Sequence, residues 1–265
     1  MKHIIWGMPT LIELNNIEAN VKLCKSLGLG FIELNMNLPE YQPDRIDVEK
    51  LIYMKEKYNI FFTFHLPEEF DIGHFNENVR TAYIKIFEES VEIAKVLDVP
   101  VINVHMNQGV YFTLPSNRVY LYKKYQEEYL DNITKFKHIS NKLLKESDIS
   151  LCIENTGIYD MDYITMATDI LLQDNNIYLT WDIGHDRKSG NKDTKYIMDN
   201  ISKLRHMHFH DANDTKDHLV LFTGDINIYE KINKAKKHGC YCVIETKTAE
   251  TLKESVEKLI KYDFF

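Results

Sequence analysis

The chain has 265 residues, 44% of them apolar, 27% charged and 12% aromatic, enough apolar material for a sizeable core and too much for a globally disordered chain. Ten Gly and six Pro exclude collagen-like and low-complexity classes. Thirty-two Lys and Arg against 40 Asp and Glu leave a net charge of −8, a field that opposes polyanions such as duplex nucleic acid.

The amino-terminal MKHIIWGMPT carries one Lys and an apolar run too short for a signal peptide. The first strand-like run, HIIWGM (3–8), lies within it. Further short runs, apolar and β-branched or aromatic, follow at FIELNMN (31–37), IFFTFHLP (60–67), VINVHMN (101–107), SLCIENT (150–156), IYLTWDIGH (177–185), RHMHFHD (205–211) and CYCVIET (240–246). Between them lie segments with helical spacing and an outer Lys/Glu face, such as IEANVKLCKSLG, NVRTAYIKIFEESVEIAKVL and AETLKESVEKLIKY. Near-continuous apolar strands suit a parallel sheet covered by helices. The stretch from Gln108 to Arg118 is long for a strand-to-helix loop, and such loops often carry function. No Pro/Gly/Ser-rich linker breaks the alternation, no G-x-G-x-x-G follows the first strand, and no phosphate-binding G-x-x-x-x-G-K-[ST] occurs. Eight strand–helix repeats predict one (β/α)8 TIM barrel over residues 1–265 rather than an open doubly wound sheet. Cys24, Cys152, Cys240 and Cys242 make no disulfide framework at this length and read as small buried hydrophobes. No run reaches the ~18 apolar residues of a membrane span. The expectation is a soluble cytoplasmic protein with a small-molecule substrate, with nucleic acid disfavoured as a partner; nothing in the chain sets an oligomeric state.

The informative feature is what ends each apolar run. His65 and His105 close the third and fourth, Glu154 the fifth, and Asp182 the sixth, with His185 three residues on. His208 closes the seventh, before His210 and Asp211, and Glu245 the eighth. In a barrel these ends converge on one mouth. By alternation Asn103 shares a face with His105, Cys152 with Glu154, Thr180 with Asp182, and His206 with His208. Carboxylates gathered in one cavity repel or take up protons unless a cation sits among them. A mixed imidazole and carboxylate set suits Zn²⁺, Mn²⁺ or Fe²⁺ better than Mg²⁺ or Ca²⁺.

With IENT (153–156), WDIGHD (181–186), HFHD (208–211) and VIET (243–246) in this order at strand ends, the chain resembles the xylose isomerase-like TIM-barrel superfamily over its whole length. That superfamily holds sugar isomerases and epimerases and the endonuclease IV family. The resemblance implies a shared ligand set of Glu154, Asp182, His208 and Glu245. In the isomerases such a set holds one Mn²⁺, Co²⁺ or Mg²⁺, and the two glutamates move protons as catalytic residues. Similarity to the endonuclease IV family adds His65, His105, His185 and His218 as ligands, with Glu154 bridging two of two or three Zn²⁺ ions. One position departs: the acid expected two residues before His218 is Lys216, with Asp214 and Asp217 nearby.

Three functions follow. The first is a multinuclear zinc hydrolase of a small phosphoester or phosphodiester, carried by the extra histidines. The second is a one-metal sugar or sugar-phosphate isomerase or epimerase. In that reading Trp6, Tyr111, Phe112 and Trp181 line a sugar cavity, although the same aromatics also suit core packing, and Lys216, Lys247 or Arg187 meets a phosphate. The third is a non-catalytic ligand-binding barrel, with Lys216 as the mark of a decayed site.

Overall fold

The structure is a computed structural model and describes residues 4–265. Its strands in chain order are β1 (Ile5–Pro9), β2 (Phe31–Asn35), β3 (Phe61–His65), β4 (Val101–His105), β5 (Tyr111–Thr113), β6 (Arg118–Tyr120), β7 (Ser150–Glu154), β8 (Ile177–Asp182), β9 (Leu204–Phe209) and β10 (Tyr241–Ile244). All but β5 and β6 pair in parallel and close into one barrel, with β10 against β1. The helices are α1 (Ile17–Ser26), α2 (Val48–Tyr58), α3 (Glu77–Leu97), α4 (Leu121–Lys124), α5 (Gln126–Leu144), α6 (Asp162–Leu172), α7 (Ile183–Lys188), α8 (Thr194–Asp199), α9 (Ile228–His238) and α10 (Ala249–Lys261). Among the described residues no helix is long and apolar enough to cross a membrane.

Local signals set the helix ends. Asn16, Asp47 and Asn227 each accept a backbone N–H of their helix's first turn, and Thr248 and Thr251 form a reciprocal cap. Each such cap is worth about 1 kcal/mol. Gly239 ends α9 in the left-handed region, at φ 69°.

All eight expected barrel strands are present; the expectation for the first began at His3, which lies outside the described residues. The strands are mostly shorter than the expected runs, and two differences bear on the site. The run at 177–185 is not one strand: β8 stops at Asp182, whose Oδ1 accepts the His185 N–H at 2.6 Å and starts α7. The long connection after β4 is not irregular loop throughout, because Tyr111–Thr113 and Arg118–Tyr120 pair as an antiparallel hairpin.

Strand alternation sorts the core into two layers. Outward residues such as Phe62, Phe64, Trp181 and Phe209 are buried beneath the helices. Inward residues change character along the barrel axis. At the amino ends Phe31 stacks on Phe61 with centroids 5.1 Å apart, and Tyr241 meets both edge-on. Gly7 sits opposite Phe31, and a Cβ there would come within 2.6 Å of the ring. This aromatic floor fills the barrel. Above it the inward positions turn polar, with Glu33, Thr63, Asn103, Thr180 and His206 all buried. At the carboxyl ends stand the acids and imidazoles.

Candidate metal centre

The β-strand register delivers the site residues side by side. His105 pairs with Glu154 across β4 and β7, and Asp182 with His208 across β8 and β9. His105 and Glu154, with His65, His185, His218 and Glu245, surround a cavity of about 190 Å³ at the barrel mouth, which Glu33, Asn35 and Glu68 also line; Asp182 and His208 are fully buried beside these residues. Among the described residues no Lys or Arg lines the cavity.

Glu154 is the centre of this arrangement. His65 Nε2 and His105 Nε2 each stand 3.3 Å from its Oε2. His208 Nδ1 stands 3.2 Å from its Oε1 and, on another side, 3.2 Å from Glu245 Oε2. Asp182 Oδ2 is 3.8 Å from the same His208 nitrogen and 3.0 Å from His185 Nδ1. Two sets of three ligand atoms therefore flank the one carboxylate: His65, His105 and Glu154 on one side, and Asp182, His208 and Glu245 on the other, each set within 4.8 Å.

Backbone partners fix several ring tautomers. His65 Nδ1 is 2.8 Å from the Leu66 carbonyl and His218 Nδ1 is 3.1 Å from the Glu245 carbonyl. A carbonyl only accepts, so both Nδ1 atoms carry hydrogen and both neutral rings offer an Nε2 lone pair. His210 is the reverse case. Its Nδ1 accepts the His218 N–H at 2.8 Å, so its Nε2–H donates to Asp182 at 3.1 Å. His210 is thus a clamp on Asp182 and not a ligand. Gly184 makes room for it, because a Cβ on Gly184 would fall 1.9 Å from the His210 ring.

The charges favour a cation at this mouth. Burial pushes the Glu154 carboxyl up, but His208 and His105 outweigh it and hold the group well below the ordinary carboxylate range. Burial pushes the His65 imidazole down, yet the hydrogen bond and charge of Glu154 lift it to about 9. His185 rises to about 10, chiefly through the charge of Asp182. Without a cation the cluster draws protons onto His65, His185 and His208. Even so, His185 Nδ1, His208 Nδ1 and Glu245 Oε2 are buried with no hydrogen-bond partner. Lone pairs from nitrogen and oxygen donors aimed at common points fit divalent ions of the zinc or manganese kind.

Other expected residues lie elsewhere. Trp181 does not face the cavity: it is fully buried under the helices, donates Nε1–H to Asp186 at 3.0 Å and carries the Lys231 ammonium 3.8 Å above its ring. Trp6 points outward too, donating to the Phe264 carbonyl at 3.0 Å and packing edge-on against Phe209. Tyr111 and Phe112 are exposed on the β5–β6 hairpin and do not line the cavity. Lys216 and Lys247 are exposed outside it. Lys216 sits on a turn where its N–H bonds Asn213, so it neither replaces the expected acid nor reaches the mouth. Asp214 does not replace it either, being paired with Arg187 at 2.8 Å. Arg187 is bound to Asp225 as well, at 2.9 Å.

Sequence reasoning missed Glu33, a buried acid in the middle of β2 whose Oε1 lies 2.9 Å from His208 Nε2. Its signal was available: a lone carboxylate inside the apolar run FIELN needs a buried partner.

The fold and this mouth define a TIM-barrel protein with clusters at its strand ends that could hold a metal ion. The chain belongs to the xylose isomerase-like TIM-barrel family, whose model matches residues 21–262. A D-tagatose 3-epimerase-like protein superposes with a TM-score of 0.77 at 22% identity, over 99% of this chain and 97% of that one. The IolI protein with a bound zinc atom gives 0.74 at 16% identity, over 100% and 99%. An AP endonuclease, family 2, from Brucella melitensis gives 0.70 at 14% identity, over 99% of both chains. No curated protein matches the sequence.

Two outcomes are expected. The His65 imidazole has an ordinary value of 6.5 and a folded value of about 9, so its contribution is complete below pH 6.5 and lost as pH rises through 9. The Tm of chelated protein should fall across that window, whereas zinc, which needs neutral imidazoles, should stabilise more as pH rises; a flat profile with chelator contradicts the ion-pair geometry. Gly184→Ala should displace His210 from Asp182 and weaken zinc binding by about 10-fold or more. Unchanged affinity in a chelator competition contradicts the clamp.

Proposed function

We propose that this chain is a dinuclear metallohydrolase of a small phosphoester or phosphodiester. The observation that carries the reading is the Glu154 carboxylate, with imidazoles from β3 and β4 on one oxygen and His208 on the other. His65, His105 and Glu154 would hold one ion; Glu154, Asp182, His208 and Glu245 would hold the other. Divalent cations there supply Lewis-acid polarisation of a phosphoryl oxygen and make a water more acidic. Zinc suits the donor set. A third ion is not part of the proposal, because Lys216 stands outside the mouth and His210 is committed to Asp182.

The chain's own residues then divide the work. Glu154 keeps the two ligand sets at a fixed spacing. His185 and His218 remain at the rim, with rings 5.4 Å apart, to bind and orient the ester oxygens. With no Lys or Arg lining the cavity, a substrate phosphate has no cationic side chain to meet there other than an imidazole. The small cavity and the net charge of −8 favour a small soluble ester over DNA.

A one-metal ketose epimerase is the second reading. Its support is the convergence of Glu154 and Glu245 on His208, each at 3.2 Å, as two proton-moving carboxylates would require. Against it, Glu154 is buried and its Oε2 is taken by His65, His105 and the Asn103 amide, which leaves only Oε1, beside His208, to receive a substrate proton.

The zinc-loaded protein should hydrolyse bis(p-nitrophenyl) phosphate, and His105→Ala should lower kcat/KM on the order of 10²-fold or more. Absence of turnover, together with exchange of a ketose C3 proton, overturns the hydrolase in favour of the epimerase.

A further inference from the structure

We propose that Glu33 is a positioning residue: it holds the His208 ring with hydrogen on Nε2, so that Nδ1 presents its lone pair to the ion. The inference needs only an ion at Asp182, His208 and Glu245, so it stands on the ligand set common to both readings above rather than on hydrolysis.

His208 is the ligand whose orientation is least determined by its own strand end. His65 and His218 are each fixed by a backbone carbonyl on Nδ1. His208 instead turns Nδ1 toward the mouth, where Glu154 Oε1 and Glu245 Oε2 both stand 3.2 Å away. Either carboxylate would accept hydrogen from Nδ1. In that tautomer the lone pair moves to Nε2, on the far side of the ring, and the ion loses a ligand. Glu33 opposes this. It is buried and its Oε1 lies at ion-pair distance, 2.9 Å, from His208 Nε2, a nitrogen with no formed hydrogen bond, so it places a charged acceptor beside that nitrogen inside the barrel.

Glu33 is itself held by Thr63, with His206 alongside. Thr63 Oγ1 donates to its Oε2 at 3.3 Å, and His206 Nε2 faces the same oxygen at 3.4 Å. The His206 tautomer follows from its other neighbour. Asn103 gives its amide N–H to Glu154 and accepts the Thr180 hydroxyl at 2.6 Å. With its hydrogen spent there, the hydroxyl accepts from His206 Nδ1 at 3.1 Å. His206 Nε2 is then a lone pair, and it is buried without a hydrogen-bond partner. This path joins the underside of Glu154 to the neighbourhood of Glu33 through three buried side chains, Asn103, Thr180 and His206.

The arrangement makes Gln a discriminating replacement at position 33. Its amide oxygen can accept from His208 Nε2, and its amide nitrogen can donate to the unpartnered His206 Nε2. Leu can do neither. In competition with a chromophoric chelator, Glu33→Gln should bind Zn²⁺ within a few-fold of wild type. Glu33→Leu should bind it about 10- to 100-fold more weakly, with an altered Co²⁺ visible spectrum and an unchanged far-ultraviolet circular dichroism spectrum. Wild-type affinity and spectrum in Glu33→Leu overturn the proposal; so does a Glu33→Gln protein as impaired as Glu33→Leu. A second measurement does not depend on any variant folding. Long-range ¹H–¹⁵N spectra of zinc-loaded wild type should show His208 as the Nε2–H tautomer and His65 as Nδ1–H. An Nδ1–H tautomer at His208 overturns the proposal. Loss of phosphodiester turnover with these results intact counts against the hydrolase alone.

Discussion

One carboxylate faced by several imidazoles organises this molecule. Glu154 is buried at the mouth of a barrel and meets His65, His105 and His208 within about 3.3 Å. A carboxylate so buried is costly unless positive charge compensates it. Protons on the imidazoles can supply that charge, and so can divalent ions. Ions would also satisfy the buried His185 Nδ1, His208 Nδ1 and Glu245 Oε2, which have no hydrogen-bond partner. Much of the surrounding polar architecture, including the His210 clamp, the Asn103 amide and the Glu33 acceptor, would keep donor atoms aimed at the points such ions would occupy.

The barrel makes this affordable by separating its interior into zones. Phe31, Phe61 and Tyr241 close the amino end, so the interior opens at the carboxyl end. The polar middle zone of Glu33, Thr63, Asn103, Thr180 and His206 then supports the ligands from beneath. A wholly apolar middle zone would pack as well but would leave the His208 ring free to turn or change tautomer. Gly184 shows the same constraint from the side: the backbone of α7 must pass so close to His210 that no side chain fits between them.

How much of this was legible in the sequence depends on the range of the signal. Strand ends were legible because alternation and residue type are local, and His65, His105, Glu154, Asp182, His208 and Glu245 stand at or beside them. The partners of those residues were not. Glu33 meets His208 across the barrel interior, from a strand far away in sequence. The role of His210 depends on the backbone N–H of His218, set by a loop that folds back through the Asp211–Leu219 bridge, with His218 at φ 49°. That same loop carries Lys216 away from the mouth. Trp181 is a different kind of miss. The alternation that turns Thr180 and Asp182 inward turns Trp181 outward, and its aromatic character outweighed a placement already implied by parity. Trp6 follows the same rule on β1, where Gly7 and Pro9 face in.

Calorimetric titration of metal-free protein with Zn²⁺ tests the bridging carboxylate most directly. Two equivalents per chain, reduced to one in a His105→Ala protein that keeps its fold, is the expected result. A single equivalent in wild type, unaltered by the same substitution, would contradict a Glu154 shared between two ions.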